Sequence, residues 1–286
     1  MAYKSLLTVA TDPDRVAATI AAAGEIAIAQ DGHLDLLALG IDRTQVGYSY
    51  VGSGAVLLQV ALERAEAEAR AVEAAAKAAA NAQPTTLRWS SEAAVAQLGG
   101  LADLVAIRAR FADLVVVPRP YGPDRGPEGE AIVEAALFEG QAPVLILPEP
   151  VMTQAQTGRR MGRRIVVAWN QSREAMAAVR RALPFLQRAD LVSITVIDPP
   201  PHGAERSDPG GLLCQMLVRH GVKAEVSVLA RTLPRVSDVL ARHVRDIDAD
   251  MVVMGAYGHS RFREAILGGA TRNMLEQAEV PVFMAH

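Results

Sequence analysis

Residues 112–116, Ala112-Asp113-Leu114-Val115-Val116, return late in the chain as Ala249-Asp250-Met251-Val252-Val253. Two more pairs keep the same order: Tyr121-Gly122 with Tyr257-Gly258, and Ala142-Pro143-Val144-Leu145 with Val280-Pro281-Val282-Phe283. A chain of 286 residues has the length of about two domains, so the repetition reads as one domain present twice. The offset between copies is close to 137 at these segments and 158 at the first strand, because the first copy has a longer second helix and preceding loop. The copies occupy residues 1–150 and 160–286. Pro148 to Gly162, mixing Pro, Gln, Thr and Gly, has the composition of a linker.

Each copy alternates short aliphatic runs with helical stretches. In the first, strands are predicted over residues 5–10, 34–39, 85–89, 114–117 and 144–147. Helices are predicted over 15–30, through Glu63 to Lys77 with Pro84 as the stop, over 92–110 and over 128–138. In the second, strands fall at 165–169, 191–197, 224–229, 251–254 and 282–285, and helices at 173–188, 210–220, 235–247 and 270–278. This alternation defines an α/β class of two tandem, doubly wound, five-stranded parallel-sheet domains with right-handed crossovers. Ligands of such sheets bind beyond the carboxyl ends of the strands, where strand order reverses. The loops after the first and fourth strands are therefore the candidate sites.

Composition narrows the function classes. Aromatic residues make up only 4%, which argues against a base-stacking surface for single-stranded nucleic acid. Net charge is −3 overall, but residues 1–150 hold 11 Lys+Arg against 19 Asp+Glu, and residues 151–286 hold 18 against 13. The acidic half, at −8, and the basic half, at +5, suit different ligands, and an anion favours the second. The single cysteine, Cys214, fits a reducing cytoplasm and reads as a small buried hydrophobe in an apolar helix. No apolar run approaches the length of a membrane span, and residues 6–10 are too few for a signal peptide, so a cytoplasmic protein is expected.

The loop after the fourth strand of the second copy runs from Gly255 to Thr271. Glycines on either side of a short helical segment let the backbone approach a ligand and turn its N–H groups toward one point. Gly268 and Gly269 precede the last helix, whose unpaired N–H groups and dipole favour phosphate. His259, Ser260, Arg261, Arg263 and Thr271 supply further donors, with the short hydroxyls of Ser260 and Thr271 best suited to close contact.

The spacing Gly255-x2-Gly258-x9-Gly268 follows a buried strand and ends at a helix before Val280-Pro281-Val282. It resembles the nucleotide loop of the universal stress protein family, and the whole chain is similar to its tandem members. The resemblance implies an adenine nucleotide alpha hydrolase-like sheet of order 3-2-1-4-5 and stress-response or regulatory roles. It also implies ATP or a related adenine nucleotide, with or without Mg, as the ligand. The site it implies comprises Asn170, Val196, Ile197, Gly255, Gly258, His259, Ser260, Gly268, Gly269, Ala270 and Thr271. It further implies pairing of the two domains through their last strands, whose apolar edges need cover, and a homodimer as a further assembly. Two departures stand out. Gly269 occupies a position where the family usually has Ser or Thr, and Asn170 one where nucleotide-binding members often carry Asp. Asn170 and Asp12, its counterpart in the first copy, also suit turn or helix-cap chemistry.

The first copy replaces the glycine loop with Pro118-Arg119-Pro120-Tyr121-Gly122-Pro123-Asp124-Arg125-Gly126-Pro127-Glu128-Gly129-Glu130. Prolines remove donors and carboxylates repel phosphate, with Glu130 standing where the second copy has Gly268. This copy is expected to serve fold and assembly. Other constellations carry less. Gly52-Ser53-Gly54 reads as a hinge, the six histidines show no metal-ligand spacing, and the basic run at residues 159–164 reads as solvated linker rather than a nucleic-acid contact.

Three functions remain open: a regulatory protein binding a nucleotide in its second domain, an interaction or scaffold module with a vestigial glycine loop, and an adenine-nucleotide hydrolase. The last would need a Ser-Gly-Gly-x-Asp-Ser type loop after the first strand, and Trp169-Asn170-Gln171-Ser172 is not one. With no recognisable general base, little or no hydrolysis is expected.

Overall fold

The computed structural model describes residues 2–44, 54–122, 125–149, 158, 160–199, 207–256 and 270–286. They form two compact units that divide before Pro143.

The first unit contains β1 (Ser5–Ala10), α1 (Val16–Ala29), β2 (His33–Asp42), α2 (Gly54–Asn81), β3 (Arg88–Gln97), α3 (Leu101–Ala109), β4 (Leu114–Pro118) and α4 (Glu128–Glu134), which one π-helical turn (Ala135–Glu139) extends. Its strands lie parallel in the order β3-β2-β1-β4. β1 sits centrally, with Leu6, Leu7, Thr8 and Val9 all buried. α2 packs on the sheet through Ala65, Ala69, Val72, Ala76 and Ala80, spaced as one face of a helix. At Gly40 in β2 the approach is so close that a Cβ would stand 1.7 Å from the Ala65 carbonyl oxygen.

The boundary between β3 and α3 departs from its sequence reading. Residues 92–97 were expected to open a helix that runs to 110, yet they continue β3, and α3 starts only at Leu101. The run Glu92-Ala93-Ala94-Val95-Ala96 has helical propensity, but β2 extends to Asp42 and pairs with β3 over ten positions, from His33↔Arg88 to Asp42↔Gln97. Ladder hydrogen bonds outweigh propensities of a few tenths of a kcal/mol per residue.

The second unit contains β5 (Val144–Leu147), β6 (Arg164–Ala168), α5 (Arg173–Arg181), α6 (Leu183–Leu186), β7 (Leu191–Ile197), α7 (Gly211–Arg219), β8 (Ala224–Leu229), α8 (Val236–Asp246), β9 (Met251–Gly255), α9 (Ala270–Gln277) and β10 (Val282–Ala285). The strand order is β5-β10-β9-β6-β7-β8. From β10 to β8 the strands are parallel and reproduce the repeat order 3-2-1-4-5. β5 joins antiparallel to β10, with Val282 opposite Ile146 and Met284 opposite Val144, so the apolar edges of both last strands are covered. The helix expected over 173–188 is two helices. Ala182 ends α5, and Pro184, in the first turn of α6, cannot donate back across the break.

The repeated Ala-Asp motif has the same job in both units. Asp113 Oδ2 accepts from the backbone N–H groups of Lys4 and Ser5 at 2.7 and 3.0 Å. Asp250 accepts from those of Arg163 and Arg164, at 3.0 Å each. In return, the Asp113 and Asp250 N–H groups donate to Ser5 O and Arg164 O. Each aspartate thus clamps the start of the first strand to the start of the fourth. Burial pushes the Asp250 carboxyl above its ordinary value, against the backbone donors that favour its charged form.

A buried polar cluster ties α8 to β7 and β8. Ser193 Oγ lies 3.1 Å from His243 Nε2 and 2.9 Å from Ser227 Oγ, and Thr195 Oγ1 is 3.3 Å from Ser193 Oγ. Among the described residues, no helix is long and apolar enough to cross a membrane.

Candidate functional site

β6 is flanked by β7 on one side and β9 on the other, so connections from the centre of this sheet depart in opposite directions. The carboxyl ends of β6 and β9 lie side by side, with Ala168 opposite Met254. This is the switch point, where ligands of such sheets bind.

After β6, the Asn170 Oδ1 accepts the Ser172 N–H at 3.1 Å, closing an Asx turn. Ser172 Oγ then accepts the Ala175 N–H at 3.0 Å and caps α5. The first unit repeats the turn, with Asp12 Oδ1 accepting the Asp14 N–H at 2.9 Å. Turn chemistry therefore accounts for one oxygen of each residue. Asn170 is exposed, whereas Val196 is buried and Ile197 half-buried at the end of β7.

After β9, Gly255 has a packing role. A Cβ there would stand 2.5 Å from the Ala175 nitrogen and 2.6 Å from the Glu174 carbonyl carbon, so strand end and helix start touch backbone to backbone. The Ala256 N–H donates to Ala285 O at 2.8 Å, and its carbonyl oxygen lies 2.9 Å from His286 Nδ1. Gly258, His259, Ser260, Gly268 and Gly269 lie outside the described residues, as do Arg261, Arg263 and the Ser53 hinge position. Ala270 opens α9, and the Thr271 side chain that follows is buried at 4% exposure.

A residue the sequence reading passed over adjoins Asn170. Trp169 is 6% exposed, its backbone N–H donates to Thr195 O at 2.9 Å, and its indole Nε1 is buried without a hydrogen-bond partner. A lone tryptophan at a strand end carries no spacing motif. The available signal was its position, last in a buried strand at a switch point.

Neighbouring features settle into structural roles. Arg160 and Arg163 of the basic run pair with Asp190 at 3.2 and 3.1 Å, and Arg164 Nη1 donates to Ile247 O, so these guanidinium groups anchor the start of the unit. Cys214 is half-buried rather than fully enclosed. Its Sγ lies 3.6 Å from Ala224 O, and burial raises its thiol pKa, which disfavours a reactive thiolate. Among the described residues, no three His, Cys, Asp or Glu side chains gather as a metal site. In the first unit the Tyr121 hydroxyl donates to Glu130 Oε1 at 2.7 Å.

A parallel sheet with its switch point at the first and fourth strands defines an open, doubly wound α/β domain. Residues 161–286 match the universal stress protein family. A universal stress protein of Synechocystis is 27% identical over 115 residues, which are 38% of this chain and 39% of that protein; the match thus spans about two-fifths of the relative's length. The fold of the whole chain is similar to that of a universal stress protein from Archaeoglobus fulgidus, at TM-score 0.69 and 15% identity over 98% of this chain and 95% of the other. A solved protein from Pseudomonas aeruginosa UCBPP-PA14 is similar at TM-score 0.55 and 15% identity, over 99% of this chain and 93% of its own.

Proposed function

We propose that the second copy, residues 160–286, binds ATP or a related adenine nucleotide and that the chain works as a regulatory, stress-response protein with little or no hydrolysis. The observation that carries this reading is the placement of Gly255-x2-Gly258-x9-Gly268 directly after β9 at the switch point. Phosphates would sit on the backbone N–H groups of Gly258, Gly268 and Gly269, at the start of α9, with Ser260 and Thr271 hydroxyls beside them. The excess of basic residues in this half favours an anion.

The residues after β6 fit the nucleoside. The Trp169 indole N–H is a buried donor awaiting an acceptor. Asn170, whose oxygen closes the Asx turn, would offer its amide N–H groups to a base or ribose oxygen. Val196 and Ile197 would supply the apolar wall. A Mg ion accompanying the nucleotide would be held by phosphate oxygens and water.

A second reading has its own support, because Gly255 and Asn170 are both explained by packing and turn formation without a ligand. In that reading the chain is an interaction module. Mass spectrometry of small molecules released from freshly purified full chain separates the two: an adenine nucleotide is expected, and its absence, together with no ATP binding in solution, favours the module. Asn170→Ala should weaken ATP binding about tenfold, the worth of one neutral contact of roughly 1 kcal/mol.

A further inference from the structure

α3 of the first unit buries Leu101, Val105, Ala106 and Ala109, and its opposite face is apolar as well. Leu104, Ile107 and Phe111 follow one another at spacings of three and four, so they form one stripe. The backbone stays helical to its end, with the Arg110 N–H donating to Ala106 O and the Phe111 N–H to Arg108 O. Leu104 is half-buried, Ile107 is 52% exposed and Phe111 is 81% exposed. Single exposed apolar residues are ordinary, but a run of them ending in an aromatic ring has the character of an interface.

The second copy does not keep this face. At the offset of 137, Ile107 is matched by Val244, which is 6% exposed, and Phe111 by Asp248. The exposed stripe is therefore a property of the first copy and is not required by the shared fold.

The charges beside the stripe indicate what covers it. At about 100° per residue, Leu104 and Phe111 fall roughly 50° to one side of Ile107, and Asp103 and Arg110 roughly 50° to the other. Asp103 and Arg110 are both exposed, and neither has an ion-pair partner among the described residues. Arg108, further round the helix, is tied to Glu92. One flank of the stripe is thus apolar, and the other carries a negative charge near the start of α3 and a positive one at its end.

We propose that this face binds the same face of a second copy, as an antiparallel α3 pair about a two-fold axis level with Ile107. Such an axis reverses the helix direction and keeps each flank on its own side. Residues 103 and 104 of one helix then stand level with residues 111 and 110 of the other. Phe111 packs on the partner's Leu104, Arg110 meets the partner's Asp103, and the two Ile107 side chains touch at the axis. A parallel pair would set like charges against each other. The last strands are not available for this contact, because they pair with each other within one chain. One short helix from each side buries less than the roughly 1,200 Å² of a stable interface, so the dimer is weak and reversible. The surface gives the first copy an assembly role of its own, independent of the nucleotide site proposed for the second.

Sedimentation velocity of the full chain over about 5–300 µM tests the pairing, with a monomer–dimer equilibrium of Kd below about 100 µM expected. Asp103→Lys or Arg110→Glu alone sets like charges face to face at both ends and should weaken the dimer at least about tenfold. Together they restore opposite charges, and the double variant should return to within about threefold of the parent. Independent structural damage from the two changes would add instead of cancelling. Phe111→Ser should weaken the dimer at least about tenfold while leaving the thermal midpoint unchanged. A chain that is monomeric at about 300 µM overturns the proposal and leaves the stripe to a different protein. It is also overturned if a dimer forms but Phe111→Ser or either single charge change leaves its Kd unmoved, or if the double variant is as weak as the single ones.

Discussion

Asp250 shows how a single side chain sets strand register. Its carboxylate holds the first two N–H groups entering β6, while its own N–H returns to Arg164 O. Asp250→Ala would remove two charge-assisted hydrogen bonds but also a carboxyl that burial disfavours, so a loss of about 2 kcal/mol is expected in urea unfolding. A change near zero would mean that the strands hold their register without it. His243 gives the pH dependence. Burial holds its imidazole below the ordinary value, outweighing Asp246 and Glu225, which act the other way. The folded state therefore favours the neutral ring. Stability from this site is complete above the unfolded value of about 6.5 and is lost as pH falls through the depressed folded value. Between about pH 7.5 and pH 5.5 the parent should lose more stability than His243→Gln, which retains a partner for Ser193 but does not titrate; parallel profiles would contradict this. Sequence alone displayed both aspartates as a repeated pair without showing what they bind. It left the unpartnered Trp169 indole and Thr8 and Thr19 hydroxyls invisible, because hydrogen-bond satisfaction depends on three-dimensional neighbours.

At the level of elements, alternation of aliphatic runs with helices located nine strands and only the first two residues of β3, and the last strands were readable as edges in need of cover. The late start of α3 has a tertiary cause. Where tertiary pairing competes with local propensity, pairing decides, as in the ten-position ladder that turns an alanine-rich segment into the far half of β3. The break between α5 and α6 was legible in Pro184, since proline inside a helical pattern marks a boundary. Gly255 illustrates a residue whose motif meaning and packing meaning coincide. The first unit has Pro118 at the end of the matching strand. Gly255→Ala would force the α5 backbone away from β9, costing about 1–3 kcal/mol as overpacking does. A thermal midpoint equal to the parent's would show that the contact relaxes freely.

For the whole molecule, duplication explains both what is shared and what has diverged. The two copies keep the strand order around their centres, the aspartate clamp and the Asx turn after the first strand. They differ in the loop after the fourth strand, where one copy has glycines and the other prolines and acids. The match to the universal stress protein family, over residues 161–286, covers the copy that keeps the glycines. We propose that adenine-nucleotide binding resides in the second copy alone. Calorimetric titration of the full chain with ATP tests it most directly, comparing the parent with Gly258→Val and Gly268→Asp. One site per chain is expected, weakened at least about a hundredfold in either variant, since two charge-assisted hydrogen bonds at roughly 1.5–3 kcal/mol each would be lost. A folded Gly268→Asp chain that binds ATP as tightly as the parent would contradict it.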